Sequence, residues 1–324
     1  MVDMALAAEL SDLIDLITPF AIQAANELRL ADALAGGPRT VEQLADALDC
    51  RADALRRLLR TLSRKDIFAE PEPDVFALGR LGELLRSDHP ISLREANLPW
   101  LPNVLSLADL AHSVRTGLPS FDHVHGTDLW HYLATHPDDA ELFDRQMRSI
   151  SGFEAASLVA SYPWGTVRSV ADIGGGDGTL LTALLAAYGT LTGTLFDQPQ
   201  VLPTVDGPFA LVAGDFFVDD LPPEHDLYVL KRIVYGFSDQ QANALLANLR
   251  RATRPGARVL LVEPLLRGGA ADPYFTHRID LMMMAVPGGR VRTVQELTAL
   301  LDEAGFAVSR VIDSATPAIE AVAR

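Results

Sequence analysis

The chain has 324 residues, 48% of them hydrophobic and 22% charged, which is long enough for two domains that each bury a core. Its formal net charge of −16 argues against nucleic acid and anionic membranes as partners, because phosphate groups repel an acidic chain. The chain has one cysteine, Cys50, which excludes an intrachain disulfide. Near the N-terminus, acidic residues occupy the positions where a signal peptide carries Lys or Arg. We therefore expect a soluble, cytoplasmic protein.

The first part of the chain is predicted to contain a winged helix. Residues 9–34 have apolar positions at helical spacing and little charge on any face, which predicts a helix that needs a partner. Thr40 and Gln43 have the spacing of a capping box at the start of a helix. Residues 51–65 predict the next helix, and residues 67–78 predict a small hairpin, which completes the winged-helix pattern.

The helix predicted over residues 51–65 is rich in basic residues. They are Arg51, Arg56, Arg57, Arg60, Arg64 and Lys65. A helix that recognises DNA has this composition, and so does a solvated basic face that balances nearby acids. The net charge of −16 favours the second interpretation.

Residues 111–160 are again predicted to be helical, and Pro163 and Gly165 then interrupt the chain. We therefore predict a mostly helical domain over residues 1–160 and a second domain over residues 161–324.

From residue 166 the apolar pattern changes from helical spacing to short continuous runs. These runs cover residues 167–173, 191–196, 226–231 and 257–263. They alternate with longer amphipathic segments, which predicts an α/β fold with a parallel sheet covered by helices on both faces. In such sheets the ligand binds at the carboxyl ends of the strands.

Residues 178–196 contain no charged residue and are about as long as a membrane span. Gly189, Gly193 and several threonines interrupt this stretch. We therefore predict a helix, a turn and a strand there and no membrane span.

The first strand of the sheet ends at Asp172 and runs into a glycine-rich turn. Gly174, Gly176 and Gly178 have the spacing G-x-G-x-G, whereas the dinucleotide fingerprint requires G-x-G-x-x-G. Asp172 and Asp177 flank the turn and would repel a pyrophosphate. Two carboxylates suit a ligand that carries an ammonium or a sulfonium group.

Two further strand ends carry residues that suit an adenosine group. Asp197 follows the second strand and can accept hydrogen bonds from both ribose hydroxyls. After the third strand, Gly214 precedes Asp215, which can accept from an adenine amino group, and Phe216, which can lie against the ring. Three such strand ends in order predict S-adenosylmethionine as the cofactor, with another adenine cofactor on a Rossmann-like fold as the alternative.

Six segments of the chain extend this pattern: VADIGGGDGTLL, LFDQP, AGDFF, YVLKRIVYGFSDQQA, VLLVEPLL and DLMMMAVPGGRVRTVQELTALLDEAGF. With them the chain resembles the small-molecule O-methyltransferases of the plant caffeic-acid and bacterial antibiotic-tailoring type. The resemblance implies a Rossmann-like class I methyltransferase sheet and a winged-helix N-terminal domain that serves dimerisation and closes over the partner's substrate pocket. It implies a homodimer that methylates a hydroxyl of a small aromatic or polyketide-type substrate.

The resemblance also implies which residues form the site. The cofactor is expected on Asp172, Gly174, Gly176, Asp197, Gly214, Asp215, Phe216 and Lys231. Met147, Met283 and Arg232 are expected in the substrate pocket, although a run of methionines on a helix is as often plain core. No metal is expected.

The catalytic positions depart from the family pattern. Tyr235 stands where the family has a catalytic His, Glu263 matches one of the two glutamates that orient it, and Val291 occupies the position of the other. A phenolic substrate and a tyrosine both have a pKa near 10, so Tyr235 is a poor base for a phenol. With Tyr235 and Glu263 as candidate catalytic residues, we expect proximity and desolvation to dominate.

Several alternatives stay open at this point. His125, His131 and His277 are other candidate bases, each more often a surface or core residue. The missing His also allows a cofactor-binding enzyme of the same fold that has drifted to hydroxylation, decarboxylation or cyclisation. An N-methyltransferase and a winged-helix DNA-binding regulator are the remaining alternatives.

Overall fold

A computed structural model describes residues 4–96, 98–202, 205–269, 272–312 and 317–324. The helices are α1 (Met4–Leu13), α2 (Ile17–Glu27), α3 (Leu30–Leu34), α4 (Val41–Leu48), α5 (Ala52–Ser63), α6 (Leu101–Ala108), α7 (Leu110–Thr116), α8 (Ser120–His125), α9 (Leu129–Thr135), α10 (Pro137–Ser161), α11 (Thr179–Ala187), α12 (Asp239–Ala252), α13 (Tyr274–Ala285) and α14 (Val294–Glu303). The strands are β1 (Arg39–Thr40), β2 (Phe68–Glu72), β3 (Val75–Leu78), β4 (Ser169–Ile173), β5 (Thr192–Asp197), β6 (Ala210–Ala213), β7 (Leu227–Lys231), β8 (Arg258–Val262), β9 (Leu265–Leu266), β10 (Arg292–Thr293), β11 (Phe306–Ile312) and β12 (Ala318–Ala323).

The chain divides into two compact units. The first comprises Met1–Trp100 with Arg145–Ile150, and the second comprises Leu101–Asp144 with Ser151–Arg324. The domain boundary near residue 160 stays a prediction.

The first unit contains the predicted winged helix. Helices α4 and α5 precede the β2–β3 hairpin, and β1 pairs with β3 in a three-stranded antiparallel sheet. The capping box is confirmed, since the Gln43 amide donates to Thr40 Oγ1 at 3.2 Å and the Thr40 amide donates to Gln43 Oε1 at 2.9 Å. Leu44, Leu59 and Phe76 are fully buried in the core of this unit.

The prediction of a single helix over residues 9–34 was wrong, because this region of the structure contains three separate helices, α1, α2 and α3. The Asp15 carboxylate accepts the Ile17 amide at 2.7 Å, which starts α2 afresh after α1 has ended. Arg29 has a φ of 56°, and this left-handed residue separates α2 from α3.

The basic residues of α5 are largely paired with acids of their own unit. Arg56 Nε lies 2.6 Å from Asp74 Oδ1, and Arg60 Nη2 lies 2.7 Å from Glu70 Oε1. The pairs support the interpretation of this helix as a face that balances nearby acids.

The second unit is organised around a seven-stranded sheet with the order β11-β12-β8-β7-β4-β5-β6. Strands β8, β7, β4, β5 and β6 are parallel, as predicted. The last two strands were not among the predicted runs, and β12 runs antiparallel to both β8 and β11. Too few residues separate β11 from β12 for the crossover that a parallel pair requires.

Successive side chains of the central strands point to opposite faces of the sheet, and each face carries its own hydrophobic core. Ala171 and Ile173 of β4 pack with the core that includes α12 and α14, and Val170 packs with α11 on the other face. Residues 178–196 form the end of a loop, α11, a turn and most of β5, as predicted. Among the described helices, none has both the length and the apolar character that a bilayer span requires.

Candidate functional site

A glycine-rich turn, hereafter called the cofactor loop after its expected role (residues 174–178), connects β4 to α11. Gly174, Gly176 and Gly178 have φ angles of 70°, 60° and 75°, a region that favours glycine. A Cβ at Gly174 would lie 2.5 Å from Ile233 Cδ1, whereas a Cβ at Gly176 would have no atom within 4 Å. The loop therefore turns tightly at its start and exposes its backbone to open space at Gly176.

Asp172 lies under the cofactor loop and is 1% exposed. Neither of its side-chain oxygens has a hydrogen-bond partner within the described ranges. Burial raises the pKa of Asp172 to about 7, although the charge of Lys231 opposes the shift. Buried polar atoms are normally paired, so these two oxygens fit a ligand that carries a cation and N–H donors.

Asp197 ends β5 and holds the cofactor loop from the side. Its Oδ2 accepts the Gly176 amide at 2.8 Å, and its Oδ1 accepts the Gln198 amide at 2.7 Å. A carboxylate has about four acceptor sites, so each oxygen keeps one for a ligand hydroxyl. Burial raises the pKa of Asp197, and the two amides oppose that shift.

Asp177 has a structural role that sequence analysis overlooked. Its Oδ1 accepts both the amide and the hydroxyl of Thr179, at 3.1 and 2.7 Å, where α11 begins. Satisfying the free amides of a helix start is a common task for aspartate. This carboxylate therefore orders the loop as well as contributing negative charge.

Asp215 and Phe216 follow β6 as predicted. Asp215 Oδ1 accepts the Phe217 amide at 2.8 Å, and Gly214 is required because a Cβ there would lie 2.7 Å from the Phe196 ring. The Phe216 ring is edge-on to Phe237, with centroids 5.7 Å apart.

Further aromatic residues extend this contact into an aromatic wall, defined here as Phe216, Phe237, Trp130 and Phe143. The Trp130 ring lies 6.4 Å from Phe237 and 6.2 Å from Phe143, measured between centroids. Sequence analysis named Phe216 and missed Phe237, although its position two residues after Tyr235 was a usable signal. Aromatic faces of this kind suit flat ring ligands.

A buried cluster of charge lies at the end of β7. Lys231 Nζ donates to Ser151 Oγ at 2.7 Å, and Arg232 Nη1 lies 2.8 Å from Glu154 Oε1. The Lys231, Arg232 and Glu154 side chains are 10%, 14% and 16% exposed. Burial lowers the pKa of Lys231 despite the nearby carboxylates. Glu154 was missed because it lies 78 positions before Arg232, on α10.

Arg232 has an unusual backbone. Its φ is 61°, and its amide donates to the Val262 carbonyl at 2.8 Å. A left-handed residue other than glycine costs roughly 1–2 kcal/mol. This bend places the guanidinium carbon 5.5 Å from the centre of the Tyr235 ring.

Tyr235 lies in the short turn Val234–Phe237, hereafter the Tyr235 turn. Its amide donates to Glu263 Oε2 at 3.1 Å, so this carboxylate caps a backbone amide of the turn. Glu263 is 2% exposed, burial raises its pKa to about 7, and its Oε1 has no partner among the residues that the structure describes.

Arg292 and Gly289 also shape the Tyr235 turn, and sequence analysis missed both. The fully buried Arg292 donates to the Val234 carbonyl at 3.0 Å and to the Phe237 carbonyl at 2.8 Å. A Cβ at Gly289 would lie 2.2 Å from the Tyr235 carbonyl oxygen. The turn is therefore held by residues that follow it by more than 50 positions.

The Tyr235 side chain is 5% exposed. Burial raises its pKa above the ordinary tyrosine value, and the positive charge of Arg232 only partly opposes the shift. Tyr235 is therefore a neutral phenol at neutral pH and can donate a hydrogen bond but cannot accept a proton from a phenolic ligand.

The two predicted pocket methionines lie in different units. Met147 is half-buried on the α10 segment of the first unit, and Met283 is half-buried on α13 of the second. Among the alternative bases, His125 donates to the Pro102 carbonyl at 3.1 Å, and His131 and His277 are exposed.

Two family descriptions match the chain. An O-methyltransferase domain matches residues 107–307, and an O-methyltransferase dimerisation domain matches residues 11–88. The phenazine O-methyltransferase PhzM of Lysobacter antibioticus is 33% identical, over 94% of this chain and 93% of that protein. The crystal structure of LaPhzM superposes with a TM-score of 0.89 at 32% identity and covers 99% of both chains.

Other similar proteins differ in their ligands and chemistry. An O-methyltransferase of neocarzinostatin biosynthesis, solved with S-adenosylmethionine and a hydroxy-methyl naphthoic acid, has a TM-score of 0.78 at 33% identity and covers 97% of this chain and 98% of its own. A riboflavin-analogue N,N-dimethyltransferase of Streptomyces davaonensis is 35% identical over 90% of this chain and 88% of its own. The aclacinomycin 10-hydroxylase of Streptomyces purpurascens is 33% identical over 95% of this chain and 86% of its own.

Proposed function

The chain belongs to the S-adenosylmethionine-dependent O-methyltransferase family, and we propose that it methylates an acidic phenolic hydroxyl on a small aromatic natural product without a dedicated general base. The observation that carries this proposal is the buried Tyr235 beside Arg232, where the resemblance to the family leads us to expect a histidine. The neutral phenol of Tyr235 orients the substrate, and the positive charge of Arg232 beside it favours the phenolate form of the substrate.

Residues at four strand ends hold the cofactor in this proposal. They are Asp172, Gly174, Gly176, Asp197, Gly214, Asp215, Phe216 and Lys231. S-adenosylmethionine supplies a methyl group that its positive sulfur already activates. The unpaired oxygens of Asp172 support a cationic ligand here, because a nearby positive charge would return that carboxyl to its ionised form.

Arg232 and Lys231 favour the phenolate form of the substrate. Arg232 places a positive charge 5.5 Å from the centre of the Tyr235 ring, although Glu154 and Asp172 offset part of the charge of Arg232 and Lys231. An opposite charge within about 4–6 Å lowers a pKa by roughly 1–3 units. A phenol of pKa near 10 would then be ionised in about 1–50% of molecules at pH 7, against about 0.1% in water. A carbonyl group on the substrate ring increases this fraction further.

Orientation provides the remainder of the rate. Without a base whose pKa is near 7, deprotonation of a phenol with a pKa of about 10 costs about 4 kcal/mol at pH 7, since the two values differ by three units. Holding two reactants in line contributes roughly 7–11 kcal/mol, which exceeds that cost. The aromatic wall and the half-buried Met283 support a flat ring held in a fixed plane.

A non-methylating reaction is the second candidate, favoured by the substitution of the histidine by Tyr235 and by the similarity to a hydroxylase. Incubation of the enzyme with S-adenosylmethionine and ring-matched pairs of phenols and anilines separates the candidates. We expect S-adenosylhomocysteine and O-methylated product in equal amounts, fastest with phenols that carry an adjacent carbonyl. A modified substrate without equal S-adenosylhomocysteine would support the drifted enzyme, and faster reaction of the anilines would support N-methylation.

We also propose a homodimer assembled through α1. None of the α1 residues is buried, and Met4, Leu6, Leu10 and Leu13 are 61–77% exposed. Exposed apolar patches of this kind mark association surfaces, and the dimerisation-domain match over residues 11–88 begins at the end of this helix. Leu10→Ser with Leu13→Ser leaves the core intact and should shift the mass in light scattering from dimer to monomer, whereas a monomeric wild-type chain would contradict the proposal.

A further inference from the structure

The side chains of Asp109, His112 and His123 form a cluster that shares no residue with those assigned to the cofactor or to the Tyr235 turn. Asp109 immediately precedes α7, His112 lies in its first turn, and His123 lies on α8. One ligand atom from each side chain lies within 4.8 Å of the other two. The cluster is at the surface, with the Asp109 and His123 side chains 39% and 59% exposed, so ions reach it from solvent.

The geometry is that of a nearly assembled metal site. His123 Nδ1 lies 2.7 Å from Asp109 Oδ2, and the imidazoles of His112 and His123 stack with centroids 4.1 Å apart and planes 7° from parallel. Ligand atoms of a tetrahedral zinc site are about 3.4 Å apart, given zinc–nitrogen distances of about 2.0–2.1 Å. The three ligand atoms, within 4.8 Å of one another, need side-chain rotations of the exposed His123 and the half-buried Asp109 and His112 to reach that spacing.

The backbone that carries the three side chains is held firmly. The Ser120 amide donates to Ser113 Oγ at 2.8 Å, and Ser120 Oγ donates to the Ser106 carbonyl at 2.8 Å. Ser106, Ser113 and Ser120 are all buried. These contacts fix α7 and α8 relative to each other, so the ordering cost of bringing the ligands together is already met by the fold.

We propose that Asp109, His112 and His123 bind a divalent transition-metal ion, with zinc the best fit and water completing its coordination. Two imidazoles and one carboxylate suit zinc, nickel and cobalt, whereas magnesium and calcium prefer oxygen ligands alone. The ion joins the start of α7 to α8 and stabilises this helical hairpin. The hairpin in turn contacts α13, because Ser120 Oγ also donates to the Ala285 carbonyl at 3.2 Å.

The test uses the full-length protein without a histidine tag, treated with a chelator and then titrated with Co²⁺. We expect visible ligand-field absorption that saturates at one ion per chain, disappears when Zn²⁺ is added, and accompanies a rise in Tm with Zn²⁺. Asp109→Asn, His112→Ala and His123→Ala should each weaken binding at least about tenfold. His131→Ala is the matched control, since His131 is exposed and lies 3.5 Å from Asp128.

Binding of S-adenosylmethionine by each variant confirms that it is folded, because the three residues lie outside the cofactor site. No Co²⁺ absorption from the wild-type protein would overturn the proposal. If wild type, Asp109→Asn and His123→Ala gave the same Co²⁺-binding isotherm, the ion would bind elsewhere. That result would also overturn the proposal. A Zn²⁺-dependent rise in Tm that survives in all three variants would have the same meaning.

Discussion

The cofactor loop and the Tyr235 turn follow neighbouring parallel strands, β4 and β7, yet they are built in different ways. The loop obtains its shape mainly from its own glycines, three of which have positive φ angles, although Asp197, 21 positions from Gly176, also holds one of its amides. The turn obtains its shape from Glu263 and Arg292, which lie 28 and 58 positions from the groups that they hold. In the proposed function, the ligand common to the whole family is therefore bound largely by a local pattern, whereas the side expected to meet the variable substrate depends on distant residues.

The largest expected effect comes from breaking the distant support of the turn. Arg292→Met leaves the buried Phe237 carbonyl without a donor, which costs about 1–3 kcal/mol. It also removes one of the two donors of the Val234 carbonyl, a hydrogen bond worth about 0.5–1.5 kcal/mol, while the Phe237 amide still donates to that carbonyl. We expect the free energy of unfolding, measured with urea, to fall by about 1.5–4.5 kcal/mol. Arg290→Met is the control, because the Arg290 side chain is 44% exposed and should change stability by less than about 1 kcal/mol. Equal losses in both variants would contradict the assigned role of Arg292.

Breaking the cofactor side should affect ligand affinity more than the free energy of unfolding. Asp197→Ala removes a charged acceptor from the ribose hydroxyls, a loss of roughly 2–4 kcal/mol or about 30- to 1,000-fold in affinity. Isothermal titration calorimetry with S-adenosylmethionine measures the change. Unchanged affinity would show that the assignment of this strand end is wrong, and Tyr235→Phe, which should bind the cofactor like wild type, serves as the control.

The buried Asp172 makes the stability of the cofactor-free protein depend on pH. Its pKa is raised in the folded protein to about 7, so the cofactor-free protein binds a proton that the unfolded chain has released, and stability falls as pH rises from about 4 to 7. Asp172→Asn should therefore stabilise the cofactor-free protein at pH 8 by about 2 kcal/mol. A pKa shift of three units corresponds to roughly 4 kcal/mol. The expected gain is smaller because Lys231 loses a negatively charged partner in the variant.

The same substitution should weaken S-adenosylmethionine binding, since the amide no longer offers a negative charge to a cationic ligand. Thermal unfolding with and without cofactor measures both effects. A variant less stable than wild type at pH 8, with unchanged affinity, would show that Asp172 faces no ligand cation.

The smallest effect is expected at Tyr235 itself. Tyr235→Phe should lose about tenfold in kcat/KM, or about 1.4 kcal/mol, because only a positioning hydrogen bond is removed. A loss of 100-fold or more with unchanged cofactor affinity would instead make Tyr235 an obligatory proton acceptor.

The pH profile provides an independent measure of the phenolate mechanism. We expect kcat/KM to rise with pH and level off near the pKa of the bound phenol. Arg232→Met removes a cation that favours the phenolate, so its plateau should shift to higher pH. A profile that is the same in both enzymes would show that Arg232 does not face the reacting hydroxyl.

Much of the first unit and of the sheet was predictable because the signals are local. The capping box of Thr40 with Gln43 and the β2–β3 hairpin each depend on a few consecutive residues, and both are confirmed. The α1–α3 region was mispredicted as one helix, because the Asp15 cap and the left-handed Arg29 interrupt an apolar period that continues across them.

The sequence by itself determined the order of the strand ends and the chemistry that each presents, with Gly174, Asp197 and Asp215 following successive strands. Parallel strands bring their carboxyl ends to one edge, so a linear order of residues is already a spatial order. Only the tertiary structure decided that Glu154 pairs with Arg232, that Arg292 holds the Tyr235 turn, and that two histidines and an aspartate meet beside α7. These partners lie on separate helices and strands, and the packing of those elements, which no local pattern encodes, sets which side chains meet.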